Sequence, residues 1–195
     1  MRQVDLSPDV HPAAAALGIT RETLRLRSLH RHEEATDLVL ADVGAHGREF
    51  LLIPAASMAW QAMKAAAAAD GVSLWLESAY RSIARQAEIL QAKLAGGQSL
   101  DEALHWVAPP GCSEHHTGRA VDIGTPGCQA LTESFETTRA FEWLQRQAGR
   151  FGFSMSYPRG HRQGYGYEPW HWCLAAPAQA WPSAAQTPTA PPSQN

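Results

Sequence analysis

Two short stretches of the sequence bring imidazole and carboxylate side chains together at close spacing. They are residues 113–122 (SEHHTGRAVD) and residues 168–171 (EPWH). A catalytic zinc ion takes about three protein ligands from His, Asp or Glu and leaves one position for water. The two stretches therefore predict a metal-dependent hydrolase centre. Its predicted metal ligands are His115, Asp122 and His171, and its predicted general base is Glu168.

The spacing of the second stretch sets a structural condition. Pro169 favours an extended backbone at Glu168, and residues three apart in an extended chain point to opposite faces. Glu168 and His171 can therefore serve one site only if the chain bends or bulges between them.

The three cysteines allow a second interpretation. Cys112 lies three residues before His115 and Cys173 lies two after His171, so these four could form a structural Cys2His2 zinc site. That site would leave both carboxylates of the first interpretation without a role, and its spacings differ from those of zinc fingers. One disulfide with a spare thiol, or three buried thiols including Cys128, also fits an odd count.

The remaining histidines carry less information. His116, beside a predicted ligand, could support the site or contact a substrate, or it could lie on the surface. No role is assigned to His11, His30, His32, His46, His105 and His161.

Composition narrows the class of protein. A chain of 195 residues that is 45% hydrophobic can build one core. Its net charge is −3 and its basic residues are dispersed, unlike those of a nucleic-acid binder. It has neither an apolar run of about 18 residues nor a signal-peptide pattern. We expect a cytoplasmic monomer; a misassigned or truncated start would instead place the protein in the periplasm.

Apolar spacing and capping residues predict the elements that position these groups. The predicted strands are residues 38–40, 50–53, 72–79, 153–157 and 170–174, and the predicted helices are residues 20–30, 54–70, 83–94, 99–107 and about 137–151. Because they interleave without a regular βαβ rhythm, we predict an α+β fold: a single domain with an antiparallel sheet flanked by helices.

Five motifs follow one another along the chain. They are Ser78-Ala79-Tyr80-Arg81-Ser82 with Gln86, then Ser113-x-His115-x-x-Gly118-x-Ala120-x-Asp122, Phe151-Gly152-Phe153, Ser156-Tyr157-Pro158 and Glu168-Pro169-Trp170-His171. In these motifs the chain resembles, over about residues 51–174, the zinc D-alanyl-D-alanine carboxypeptidases of the VanY type, which share a superfamily with D-Ala-D-Ala dipeptidases and hedgehog-like domains. We divide the chain into a polar N-terminal segment (1–36), a zinc peptidase domain (37–175) and a disordered Pro/Ala-rich tail (176–195).

The resemblance implies roles for particular residues. It implies Zn2+ held by His115, Asp122 and His171, with Glu168 as base. It further implies that Arg81 is catalytic and binds substrate, and that Tyr80, Gln86 and Ser113 are additional substrate contacts. The implied substrate is a peptidoglycan stem peptide or its precursor, which loses a C-terminal D-alanine from a D-Ala-D-Ala or related L,D bond.

Four other functions stay open at this point. A D,D-dipeptidase and an L-alanyl-D-glutamate endopeptidase belong to the same superfamily. Two histidines and an aspartate also suit a non-haem Fe(II) oxygenase, in which Glu168 has no natural role. A zinc-stabilised wall-binding module would need neither Glu168 nor Arg81.

The aromatic residues near the second stretch form two groups with different predicted positions. Tyr165 and Tyr167 precede Glu168 in a loop and are candidates for a pocket wall. Trp170 and Trp172 flank His171 and are expected in the core.

Overall fold

The computed structural model of the protein describes residues 9–176. Six helices and six strands follow one another in these residues, joined by loops and short 3-10 turns. In chain order they are α1 Pro12–Ala15, α2 Arg21–Leu26, β1 Val39–Val43, β2 Glu49–Leu52, α3 Pro54–Ala69, β3 Trp75–Ser78, α4 Ile83–Ala95, α5 Leu100–Trp106, β4 Ala120–Gly124, α6 Arg139–Gln147, β5 Phe153–Met155 and β6 His171–Leu174.

The main sheet is antiparallel, with its strands in the order β3-β4-β6-β5, and β1 and β2 form a separate two-stranded sheet. Across the main sheet, Asp122 is the register partner of both Ser78 and His171. Directly opposed residues in a sheet share a face. One row of side chains therefore brings together three polar groups from distant parts of the sequence, while Val121 and Ile123 enter the core on the other face.

The predicted α+β fold with an antiparallel sheet and flanking helices is confirmed. Several predicted helix starts also agree with the structure. Ser82 accepts a hydrogen bond from the Arg85 backbone at the start of α4, and Ser99 with Glu102 forms a capping box at α5. These residues satisfy amide groups that a helix start leaves without partners.

Two predicted elements are wrong in extent. The helix that Thr20 caps ends at Leu26 rather than residue 30, since Ser28 adopts a left-handed backbone with φ of 50°. The strand predicted from residue 72 begins only at Trp75, because the Val72 amide is bonded to the Ala67 carbonyl at the end of α3.

The larger hydrophobic cluster lies where α3 and α6 pack on the main sheet. Trp60 and Leu144 from the helices and Phe153 from β5 are almost entirely buried in it. The indole of Trp60 donates to Asp42 at 3.0 Å, and Asp42 pairs with Lys64 at 2.6 Å. Because its indole N–H keeps a hydrogen bond, Trp60 can be buried without leaving a polar group unpaired. The packed cluster supports the sheet.

A second cluster joins the N-terminal segment to the helices beside the site. Leu24 and Leu29 pack in it with Leu90 of α4 and Leu104 of α5. Part of the predicted N-terminal segment therefore shares a hydrophobic core with helices of the predicted peptidase domain. The predicted tail lies outside the described residues from residue 177 onward.

Within residues 9–176, no helix combines the length and apolar character needed to cross a bilayer.

Candidate active site

The first predicted ligand sits in a short 3-10 turn, Glu114–Thr117, just before β4. Ser113 caps this turn by accepting from the His115 backbone amide at 3.3 Å. Gly118 ends it with φ of +63°, and an added Cβ would meet Ile53 at 3.0–3.1 Å. The turn therefore requires glycine for its backbone angle and for its close contact.

The tautomer of His115 follows from its surroundings. Its Nδ1 lies 2.7 Å from the Ala79 carbonyl oxygen, which can only accept a hydrogen bond, so Nδ1 is the donor. Nε2 then faces Asp122 Oδ2 at 3.2 Å. Burial lowers the pKa of His115 although Asp122 opposes the shift, which favours the neutral ring whose Nε2 lone pair a metal would use.

The third predicted ligand, His171, is held from both sides. Its Nδ1 lies 2.9 Å from Asp122 Oδ1, and its Nε2 lies 3.0 Å from Glu114 Oε2. Glu114 in turn accepts a hydrogen bond from the Ser156 hydroxyl at 2.5 Å. In many metal sites the histidine nitrogen that does not bind the metal donates a hydrogen bond to a carboxylate, and this bond fixes the orientation of the ring.

The donor set fits a metal ion. Ligand atoms of His115, Asp122 and His171 all lie within 4.8 Å of one another, and the three side chains are buried. No other group of three or more possible ligands occurs among residues 9–176. Two imidazoles and one carboxylate, with room for water, match a catalytic zinc site rather than a closed structural one.

The structure gives no support to the Cys2His2 alternative. Cys112, Cys128 and Cys173 are all free thiols, and none belongs to the ligand group. Burial raises the pKa of Cys112 to about 11 and that of Cys173 to about 12. Because the thiolate is the form that binds metals, these two cysteines are inert buried side chains.

The donor groups shift one another's pKa values. Burial alone would raise the pKa of Asp122, but the charges and hydrogen bonds of His115 and His171 outweigh it and hold this pKa well below its usual range. Burial opposes protonation of His171, whereas Asp122 and Glu114 raise its pKa. These carboxylates favour a proton on the ring nitrogens of His171. A metal ion would compete with that proton, because a histidine nitrogen must be deprotonated to bind a metal.

A β-turn satisfies the condition set by the spacing of Glu168 and His171. The His171 amide donates to the Glu168 carbonyl at 3.1 Å, with Pro169 at the second position of the turn. The turn brings Glu168 Oε2 to 3.8 Å from His171 Nδ1. Both side chains therefore face one centre.

Glu168 differs chemically from the neighbouring carboxylates. Burial raises the pKa of its carboxyl to about 7, although His171 and Arg81 oppose the shift. Within residues 9–176 its side chain accepts no hydrogen bond, so both oxygens are available. A base works best when its pKa lies near the working pH.

Arg81 lies in the loop between β3 and α4, beside the donor set. Its Nη1 donates to Gln86 at 3.0 Å, its Nη2 donates to Ser78 at 2.9 Å, and its Nη2 lies 3.9 Å from Asp122. Gln86 is itself anchored to the Ala108 carbonyl at 2.7 Å. The guanidinium is therefore fixed in orientation before any substrate binds.

His116 is buried and supports both loops of the site. Its Nδ1 donates to the Arg81 carbonyl at 2.7 Å, and its Nε2 accepts from the Gly111 amide at 3.1 Å. Burial lowers its pKa to about 4, which keeps the ring neutral, as these two bonds require. Of the predicted roles, support of the site agrees with this geometry, and a surface position is wrong.

These groups open into a cleft with a volume of about 380 Å³. The predicted site residues that line it are Arg81, Gln86, Ser113, His115, Asp122, Glu168 and His171. Of the aromatic residues, Tyr165 lines the cleft as predicted, and Trp170 both lines it and packs in the core. Tyr167 is not among the lining residues; it lies under the Arg159 guanidinium at 4.1 Å.

Tyr80 is not brought to the site. Its hydroxyl donates to Glu34 Oε1 at 2.8 Å, and the other oxygen of Glu34 accepts from the Ile83 amide at 2.6 Å. The Glu34 carboxylate thereby fastens the start of α4 to the N-terminal segment. The geometry gives Tyr80 this structural contact and does not support its predicted role in binding substrate.

Glu114 is the functional residue that the sequence reasoning missed. It lies beside a predicted ligand, which is the one signal that could have singled it out. Its partners, Ser156 and His171, are 42 and 57 residues away, so only the fold shows their contact. The hydrogen bonds and charge of His171 outweigh the effect of burial and lower the pKa of Glu114 to about 2.

We expect Glu114→Gln to weaken metal binding about tenfold, the lower end of the range for such supporting groups, since the amide oxygen can still accept from His171. Competition with a chromogenic chelator measures this affinity. Ser156→Ala, which leaves the His171 contact intact, is the milder control. Unchanged metal affinity in Glu114→Gln would show that the contact does not orient the ligand.

The fold and these geometries together define a class. Two buried imidazoles and a buried carboxylate converge beside a carboxylate of raised pKa and a fixed guanidinium, in an open cleft. This is the arrangement of a metal-dependent hydrolase. The sequence matches the family described as VanY, D-alanyl-D-alanine carboxypeptidase, over residues 49–176, and the chain belongs to this family.

Individual relatives agree with this assignment. The chain is 38% identical over 117 residues to a D-alanyl-D-alanine carboxypeptidase of Enterococcus faecalis, covering 55% of this chain and 42% of that protein. The LdcB LD-carboxypeptidase structure has a TM-score of 0.65 at 34% identity, covering 73% of this chain and 70% of that one. The chain spans about half the length of the curated relatives it matches.

A third relative was solved with a metal. It is a mutant of the vancomycin resistance D,D-pentapeptidase VanY from a VanB-type cassette, in complex with Zn(II). The TM-score is 0.54 at 30% identity, covering 72% of this chain and 79% of that one.

Proposed function

We propose that this protein is a zinc-dependent carboxypeptidase that removes the C-terminal D-alanine from peptidoglycan stem peptides or their precursors. The observation that carries the proposal is the convergence of His115, Asp122 and His171 with Glu168 and Arg81 in one cleft. Family membership supports the same reaction class. Every group named comes from one chain, so the proposed enzyme can act as a monomer.

The reaction depends on the residues around the metal site. His115, Asp122 and His171 would hold the zinc ion, which when bound polarises the scissile carbonyl and lowers the pKa of water. Glu168 takes a proton from the attacking water and gives it to the leaving amine. General acid–base catalysis of this kind contributes typically about 10²–10⁴-fold.

Arg81 supplies the means to recognise a chain end. Its guanidinium lies 3.9 Å from Asp122 and also lines the cleft. A planar guanidinium pairs with a carboxylate through two parallel hydrogen bonds. We therefore assign Arg81 to the free C-terminal carboxylate of the peptide, which makes the enzyme an exopeptidase.

Two alternative functions are disfavoured by particular residues. A wall-binding module without turnover has no use for the available carboxylate of Glu168 or the fixed guanidinium of Arg81. A non-haem iron oxygenase needs no base three residues before a ligand. The endopeptidase differs from the proposal in not reading a chain end, which is testable with substrates.

Mass spectrometry of defined stems tests the proposal. Zinc-loaded protein is incubated with a pentapeptide ending in D-Ala-D-Ala and with the tetrapeptide ending in one D-Ala. We expect loss of a single D-alanine, and the stem that is trimmed faster identifies a D,D or an L,D preference. With free D-Ala-D-Ala as a third substrate, hydrolysis of that dipeptide alone would replace the proposal by the dipeptidase, and cleavage near the N-terminus of the stem would replace it by the endopeptidase.

A further inference from the structure

The cleft extends well beyond the metal centre along helix α4. Gln86, Ile89 and Lys93 line it at positions i, i+3 and i+7 of this helix, so one helical face forms its wall. With a rise of about 1.5 Å per residue, Gln86 and Lys93 are about 10 Å apart along the axis. An extended peptide covers that distance with about three residues.

The lining of the cleft includes exposed apolar side chains. Trp106 and Leu131 are 42% and 47% exposed, and both line the cleft together with Ile89. Few large hydrophobic side chains among residues 9–176 are this exposed, and these two both line the cleft. A substrate long enough to leave the metal centre would cover them.

Lys93 brings a positive charge to this lining. The other charged groups that line the cleft, Arg81, Asp122 and Glu168, all belong to the metal centre. Lys93 forms no ion pair with any residue of the described range 9–176, and its side chain is half-buried. Helical side chains lean toward the helix N-terminus, and the N-terminal end of α4 is the end that carries Gln86, the hydrogen-bond partner of Arg81.

We propose that Lys93, in the cleft that Ile89, Trp106 and Leu131 also line, forms a subsite that binds a second carboxylate of the substrate, distinct from the group bound by Arg81. The subsite rests on the proposed function and names what the enzyme prefers within it: longer peptides with an acidic group. That carboxylate is a side-chain carboxylate on the N-terminal side of the scissile bond.

The test compares matched substrates that differ only in one charge. Acetylated pentapeptides ending in D-Ala-D-Ala carry either D-Glu or the isosteric D-Gln three residues before the scissile bond, and each is made with a free and an amidated C-terminus. The readout is the ratio of kcat/KM within each pair, which a general loss of folded enzyme does not change.

We expect the native protein to favour the D-Glu peptide about threefold to tenfold, because a half-exposed ion pair contributes only modestly to binding. The ratio should fall to about one in Lys93→Met and persist in Lys93→Arg, because arginine keeps the charge. Arg85→Met, which removes a cation from the exposed side of the same helix, should leave it unchanged.

The remaining outcomes are also decisive. If Lys93→Met instead reduces only the preference for a free over an amidated C-terminus, Lys93 acts on the terminal carboxylate assigned to Arg81, which overturns the subsite for a second carboxylate. Equal cleavage of both members of every pair by the native protein, or a preference that survives in Lys93→Met, overturns the subsite while leaving the carboxypeptidase function intact. No cleavage of any peptide by zinc-loaded protein overturns the proposed function itself.

Discussion

Replacing Glu168 by glutamine should reduce turnover by about 10²-fold or more while leaving metal and substrate binding in place. The substitution keeps the shape of the side chain and removes its basicity. Glu168 is the carboxylate of the centre whose pKa is raised to about 7 by burial, and its oxygens accept no hydrogen bond in the described part of the chain. Single-turnover kinetics and zinc analysis of the purified variant measure the two effects separately.

Glu88→Gln is a suitable control because Glu88 lies on the exposed side of α4, paired with Arg85. It should have native kinetics. Near-native turnover in Glu168→Gln would remove the residue from the reaction, and loss of zinc would show instead that Glu168 is a ligand.

The second large effect is expected at Arg81. If its guanidinium binds the terminal carboxylate, amidation of a D-Ala-D-Ala peptide should lower kcat/KM of the native protein about tenfold to a hundredfold, which corresponds to about 1.5–3 kcal/mol. In Arg81→Ala the same amidation should matter little, because the contact is already lost. The two substitutions, one in the enzyme and one in the substrate, form a double-mutant cycle.

Arg85→Ala is the matched control for this cycle, since it removes a nearby exposed guanidinium from α4. It should retain the full penalty for amidation. Equal cleavage of free and amidated peptides by the native protein would mean that the enzyme does not recognise the terminal carboxylate of the peptide. That result would favour an endopeptidase.

Local signals made part of this molecule predictable. Capping residues such as Ser82 and Ser99 act within a few residues of themselves, so the starts of α4 and α5 could be read from the sequence. The three proposed ligands and Glu168 were recognisable because short motifs preserve their spacing. The structure brings these four together.

What could not be predicted depends on contacts between distant segments. Strand β4 was missed because all five of its residues are buried, so it shows no alternation of polar and apolar side chains. Glu114 and its support of His171 depend on the pairing of β4 with β6. The role of the N-terminal segment was hidden for the same reason, since Leu24 and Leu29 find their partners on α4 and α5.

Metal analysis combined with removal and restoration tests the central claim most directly. The purified protein should hold one zinc ion, lose hydrolysis on treatment with a chelator, and regain it when zinc is added back. Circular dichroism should change little, because the core that supports the sheet is separate from the donor set. Hydrolysis of D-Ala-D-Ala peptides that persists after complete metal removal would contradict the account.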